Sequence, residues 1–130
     1  LYLVRPKFPG RGDIVVVRLP PGLAGLAARR GYLHGTDYIL KPVAAIEGDA
    51  VCRLGLTIFV NGSDIARAKS HDRTGHPMPT WRGCHVLRPG EIFILSSPAD
   101  SFDGRYFGPV AKAQVVGLAR PIFTTSNIAD

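Results

Sequence analysis

The sequence predicts an all-β domain built mainly from antiparallel sheets, with one short helix near residues 21–30 and an irregular insertion near 61–90. Three observations carry this expectation. The 130 residues contain 15 Gly and 11 Pro, the residue types least tolerated inside helices. The apolar stretches are short, rich in β-branched residues and bounded by turn formers. They also follow one another without intervening helices, the order of antiparallel strands rather than of parallel strands joined by crossovers. With 45% apolar and 20% charged residues the chain has enough apolar surface to close a core. No Ser-rich or charged linker divides it, so residues 1–130 read as a single domain.

Taken in order, Leu1–Val4 is strand-like from its first residue, and the lack of an initiator Met suggests a mature or truncated start. Asp13–Leu19 is the next strand. Pro21–Arg30 reads as the helix, with Pro at an early position, Leu23, Leu26 and Ala27 at i, i+3 and i+4, and Gly31 placed to end it. Tyr38–Ile46 is a strand, and Gly48-Asp49 makes the turn into another at Ala50–Cys52. Thr57–Val60 is followed by Asn61-Gly62, the dipeptide that suits the two positive φ angles of a tight hairpin. From about Arg67 to Gly83 the chain is polar and Pro-rich and reads as an irregular excursion. Glu91–Leu95 and Gln114–Ala119 complete the strands.

The net charge of +6 would favour an anionic partner if it were concentrated. Instead the basic residues are scattered as singletons and pairs, which points to a solvated surface and against nucleic acid. No apolar run is long enough to span a bilayer, and no signal-peptide pattern begins at Leu1. Cys52 and Cys84 have neither Cys-x-x-Cys spacing nor a neighbouring His pair, so a metal site is not expected, nor is any cofactor. These cysteines are either two independent buried thiols or one disulfide formed in an oxidising compartment. They bracket the excursion, and a bridge between them would tie it to the core.

Lys41 stands among Tyr38, Ile39, Leu40, Pro42 and Val43, apolar neighbours that would carry its amine into a low-dielectric site. Burial disfavours the charged ammonium, and a neutral amine is what a general base for a serine nucleophile requires. The alternative is a solvated lysine on the outward side of an edge strand, its stem packed flat, and taken alone that is the commoner case. Pro42 supports an edge location, where an extended peptide can add as a further strand. The second constellation is Ser101–Gly108. Asp103 and Arg105 stand at i and i+2, able to pair across a turn allowed by Gly104, either as a purely structural turn or as part of a site. His34, His71, His76 and His85 fall in turns or in the insertion, and no Ser-His-Asp arrangement is suggested. Asp13 and Asp49, each after Gly, read as turn residues at strand entries.

These segments together resemble the type I signal peptidase family, and more closely its conjugative-transfer branch, the TraF-type pilin-processing peptidases. Arg11–Val17 looks like the family's first characteristic strand, and Lys41–Asp49 like its lysine box, with Gly48-Asp49 at the expected offset. Ser101–Gly108 looks like the terminal Ser-x-Asp-x-Arg-Tyr-x-Gly box, and Asn61-Gly62 and residues 30–32 suit the conjugative branch. The order is preserved from about residue 11 to residue 120. One departure is Pro42, where the family usually has Arg after the lysine.

The resemblance implies a periplasmic serine-lysine dyad peptidase with an all-β, signal-peptidase-like, partly open barrel, anchored to the inner membrane by a segment upstream of Leu1. It gives Lys41 the role of general base, hydrogen-bonded by Ser101, with Asp103 supporting the site and Arg105 paired to Asp103. It tips the cysteines toward a Cys52–Cys84 disulfide that brackets residues 52–84. The implied substrate is a pro-pilin or other precursor polypeptide, bound as an added strand and either hydrolysed or joined into a ring by an attacking amine. The family's nucleophile lies in a Ser-x-Pro-x-Gly-x-Tyr-like motif just ahead of the first strand, and Leu1-Tyr2 looks like the tail of that motif. None of Ser63, Ser70, Ser96, Ser97 and Ser126 replaces that serine, so residues 1–130 are expected to hold a base without its nucleophile. The readings set beside this one are a non-catalytic pilus-assembly relative and a small basic β-barrel that binds single-stranded nucleic acid.

Overall fold

The computed structural model describes residues 2–4, 9–33 and 35–120, the side chains of 2–4 excepted. Leu1, Arg5, Lys7, His34 and Ser126 lie outside these residues. The strands are β1 (Tyr2–Val4), β2 (Ile14–Arg18), β3 (Tyr38–Ala45), β4 (Ala50–Leu54), β5 (Thr57–Val60), β6 (Ser63–Arg67), β7 (Gly83–Val86), β8 (Glu91–Ile94), β9 (Val110–Ala111) and β10 (Val115–Arg120). The helices are α1 (Pro21–Arg29) and the short α2 (Gly104–Phe107). The fold is all-β, and every pairing between these strands is antiparallel.

Two sheets form. The larger has six strands in the order β1, β10, β2, β3, β8, β9, and the smaller has four in the order β6, β5, β4, β7. In β2 the apolar residues alternate as a half-buried strand requires, with Val15 and Val17 fully inward. They meet Ile39, Val43, Ile92, Ile94 and Leu118 in the main core. Against this core α1 lays Ala24 and Ala27, with Leu23 packed beside them. Its buried stripe thus runs through small residues, which lets a helix with two glycines sit close to the sheet. Pro21 occupies the first turn, and Gly31, at φ 73°, ends the helix. A second cluster of Ala45, Val51, Ile58, Leu87 and Phe93 joins the smaller sheet to the ends of β3 and β8.

The hairpin between β5 and β6 is the tight turn expected, with Asn61 at φ 49° and Gly62 at φ 81° between the paired Val60 and Ser63. The expected irregular insertion is more ordered than its composition suggested. Its first part is β6 and its last part is β7, while residues 68–82 remain without strands apart from a bridge between His71 and Pro77. The polar composition of β6 hid it, because the strand is largely exposed and lacks the apolar alternation that marks a half-buried strand.

Cys52 and Cys84 form a disulfide across β4 and β7, where they are direct partners with Cα atoms 4.1 Å apart. The bridge closes a 32-residue separation, which the chain-entropy treatment values at about 3–4 kcal/mol. A Cys52→Ala/Cys84→Ala variant is expected to lose about that much stability in denaturant unfolding. Identical unfolding of the native chain with and without reductant would show that the bond contributes nothing.

The expectation that Lys41 and Pro42 lie on an edge strand is corrected in part. β3 is interior, but it changes partner along its length. On one side Tyr38–Pro42 pair with Arg18–Ile14, and on the other only Val43 and Ala45 pair with β8, after which the Leu95 amide reaches the Pro42 carbonyl. The alternating hydrogen-bond directions of an antiparallel strand aim the missing Pro42 N–H at the β8 side. Beyond that point no described strand covers residues 38–41 on that side. An open edge four residues long therefore lies within the sheet, with Tyr38 and Leu40 exposed beside it.

Candidate active site

Lys41 lies on the inward face of β3, between the buried Ile39 and Val43 of the same face, and is itself half-buried. The outward, solvated alternative is therefore not what the register produces. Its Nζ donates to Ser96 Oγ at 3.0 Å. Ser96 in turn donates from its backbone N–H and from its hydroxyl to Asp103 Oδ2, at 2.9 and 3.4 Å. Because the hydroxyl proton is directed to Asp103, Ser96 Oγ meets the lysine as an acceptor. One amine hydrogen is fixed by that contact, which leaves the lone pair of the neutral amine to face elsewhere. Burial lowers the Lys41 pKa, Asp103 and Asp100 oppose it through their negative charge, and Arg105 adds to the lowering. The net displacement is downward.

Asp103 and Arg105 are paired and almost wholly buried. Arg105 Nε donates to Asp103 Oδ1 at 2.8 Å, and the Arg105 amide caps onto the same oxygen at 3.1 Å. The guanidinium also gathers the carbonyls of Ser96, Ala99 and Arg67, so one side chain fixes the loop between β8 and α2 at several points. Gly104 is needed here for space rather than for a turn. A Cβ at this position would stand 2.6 Å from the Ile94 carbonyl oxygen and 2.7 Å from Phe93 Cε1. Gly104→Ala is expected to cost about 1–3 kcal/mol and to displace Asp103, read as a lowered unfolding midpoint; an unchanged midpoint would show the loop free to yield.

Ser101 is placed differently from its expectation. Residue 96 is the first beyond the Leu95–Pro42 pairing and is carried beside Lys41 by the sheet. Ser101 follows a turn closed by its own amide on the Pro98 carbonyl, at 3.1 Å, and its hydroxyl makes no bond to Lys41. Ser96 takes the contact that was expected of Ser101.

Two further side chains had no signal in the motifs. Arg53 is 3% exposed, and its guanidinium donates to the Gly55 and Arg105 carbonyls. Burial pushes its pKa down. Trp81 Nε1 donates to the carbonyls of Gly104 and Arg105, and its ring lies over Gly108. Both donate to the Arg105 carbonyl, and the Gly104 carbonyl accepts from Trp81 as well as from the Gly108 amide that closes α2. The alternation of β4 was the readable clue, since Arg53 occupies an inward position two residues after Val51. Asp49, expected as a turn residue, is a junction as well. Its carboxylate accepts from Arg11, the Ile46 amide and Asn61, and these contacts hold its pKa down to about 2, with the Arg11 hydrogen bond the largest cause.

The family described as "Signal peptidase, peptidase S26" matches residues 2–124. The chain is 34% identical over 121 residues to the plasmid transfer protein TraF of Escherichia coli, covering 84% of this chain and 68% of that one. It is 35% identical over 123 residues to the conjugal transfer protein TraF of Agrobacterium fabrum, covering 87% and 68%. A crystal structure of a signal peptidase I from Enterococcus faecalis is 20% identical, covering 88% of this chain and 98% of that one, with a TM-score of 0.44. On the family match and on these relatives, the chain belongs to the signal peptidase family, peptidase S26.

Proposed function

We propose that this chain is the catalytic part of a serine endopeptidase that processes a secreted or pilin precursor in conjugative transfer, with Lys41 as general base. The observation that carries the reading is the half-buried Lys41 amine on the inward face of β3, hydrogen-bonded to Ser96 at 3.0 Å and backed by the buried Asp103–Arg105 pair. The relatives' names, plasmid and conjugal transfer proteins, support the cellular role.

The nucleophile in this reading is a serine on a segment preceding Leu1. Its hydroxyl attacks the scissile carbonyl while Lys41 Nζ takes the proton, giving a tetrahedral intermediate and then an acyl-enzyme. The lysine ammonium returns its proton to the departing amine. Water, or an amine of the same substrate, then opens the ester, and the second route yields a ring. The precursor lies extended along the open edge at residues 38–41, where the free backbone groups of Leu40 pair with it. The site faces the periplasm, and the preceding segment holds it to the inner membrane; no helix among the described residues is long and apolar enough to cross one.

Purified residues 1–130 are expected to leave a precursor peptide uncut, whereas a longer chain carrying the upstream serine cleaves it, as read by mass spectrometry of the products. Cleavage by residues 1–130 at a comparable rate would place the nucleophile within the chain and overturn the assignment.

A further inference from the structure

Away from the Lys41 amine, the loop that carries Ser96 and Asp103 walls a cavity of about 390 Å³. Its other wall is the segment after β6, and its roof is the turn that follows α1, Arg30 to Tyr32. Asp100 belongs to both places, since it lines the cavity and its charge acts on Lys41.

The cavity is preformed. Asp72 is the hub of the segment 70–78: its carboxylate accepts from the Tyr32 hydroxyl at 2.7 Å, from the Thr74 amide and hydroxyl, and from the His76 amide. The Lys69 amide donates to the Tyr106 hydroxyl, and the Met78 amide to the Ser70 carbonyl. Asp72 is thus saturated by the protein, and Arg30 is occupied by the Pro77 carbonyl. The remaining charges are Lys69 and Arg73 against Asp100, and Arg73 and Asp100 stand 3.9 Å apart, both largely exposed. The lining cations Arg30, Lys69 and Arg73 outnumber the carboxylates Asp72 and Asp100 by one, and the apolar lining is Tyr32 and Met78 with the buried Phe102 and Tyr106 behind them.

We propose that this cavity binds an acidic segment of the polypeptide substrate, placing a carboxylate between Lys69 and Arg73 and an adjoining apolar group against Tyr32 and Met78. The proposal rests on the peptidase reading, because it assigns the cavity to the same chain that is presented to Lys41. A peptide fits better than a nucleic acid for two reasons. Phe102 and Tyr106 are 7% and 2% exposed and stacked on one another at 5.9 Å, so they offer no free face to a base. The lining's excess of a single positive charge also suits one carboxylate better than the repeated charges of a phosphate backbone, which Asp72 and Asp100 oppose. With both cations exposed, the contribution is modest and salt-sensitive.

The test is an NMR titration of isotopically labelled residues 1–130 with an acetylated tetrapeptide, Ala-Leu-Glu-Ala with a free carboxyl end, and with its Gln, C-amidated counterpart. The acidic peptide is expected to shift the amides of residues 69–74 and 100–106. It should bind at least about fivefold more tightly than the neutral one, a preference lost in Lys69→Ala/Arg73→Ala and at high salt. Equal affinity for the two peptides, or shifts confined to other regions, overturns the proposal. A single-stranded oligonucleotide that displaces the acidic peptide from the same amides overturns it too. The measurement does not depend on turnover. If Lys41→Ala leaves processing intact while the acidic preference persists, the peptidase reading fails and the cavity stands as a peptide site; if Lys41→Ala abolishes processing and the preference is absent, only the cavity assignment fails.

Discussion

Replacing Lys41 by alanine, in a chain that carries the upstream serine, is expected to lower precursor processing by about 10³-fold or more while leaving the fold intact, because the proposed mechanism gives the serine proton to this amine alone. The pH dependence follows from the direction of the lysine shift. The base works only when neutral, so the rate rises with pH and levels off below the ordinary lysine value of 10.5. A rate still climbing at that pH would place the titrating group elsewhere. The same shift has a consequence for stability. The unfolded chain holds the lysine proton more tightly than the folded one, so the penalty for burying the ammonium is present at low pH and fades as pH rises through the folded pKa toward the unfolded value. Lys41→Met is therefore expected to be neutral or slightly stabilising at pH 7 while inactive. Residual processing within tenfold of the native rate would remove Lys41 from the mechanism.

Arg105→Ala is the substitution expected to cost most in stability, about 3–5 kcal/mol, because it strands the fully buried Asp103 carboxylate. It also frees the carbonyls of Ser96, Ala99 and Arg67. Arg105→Lys is expected to recover only part, since an ammonium cannot reproduce the planar fork that meets both carboxylate oxygens and the Ser96 carbonyl. Denaturant unfolding of the two variants checks both statements. A loss under 1 kcal/mol for Arg105→Ala would mean that Asp103 is solvated or protonated when its partner is gone. Activity should fall with it, because Asp103 is what holds Ser96 against Lys41.

Much of this was legible because alternation and turn chemistry are local. Thr57–Val60, Asn61-Gly62 and the helix at 21–29 could be read from neighbouring residues alone, and the Ser101–Gly108 box announced the Asp103–Arg105 pair by its spacing. What escaped depends on which strands become neighbours. Ser96 reaches Lys41 because Leu95, just after β8, is held on the Pro42 carbonyl, and no window of sequence contains both. Arg53 meets a carbonyl of α2 from the smaller sheet, and Trp81 does so from the strandless segment ahead of β7. Ser63–Arg67 pairs as a strand although its own residues are polar, since its backbone is recruited by the hairpin rather than by burial. Pro42 was read correctly as the mark of an unpaired edge, but the edge belongs to half of one strand rather than to a strand at the margin of the sheet.

That half-open strand bears on how the protein avoids its own kind. A free strand margin is a template for uncontrolled stacking between copies, and natural sheets shorten or block it. Here the gap is closed at one end by the Leu95–Pro42 contact and runs only over Tyr38–Lys41, a short margin of the kind that limits such stacking. On the peptidase reading, the same stretch offers an extended precursor the free backbone groups of Tyr38 and Leu40 while leaving little margin for a second sheet to pair on.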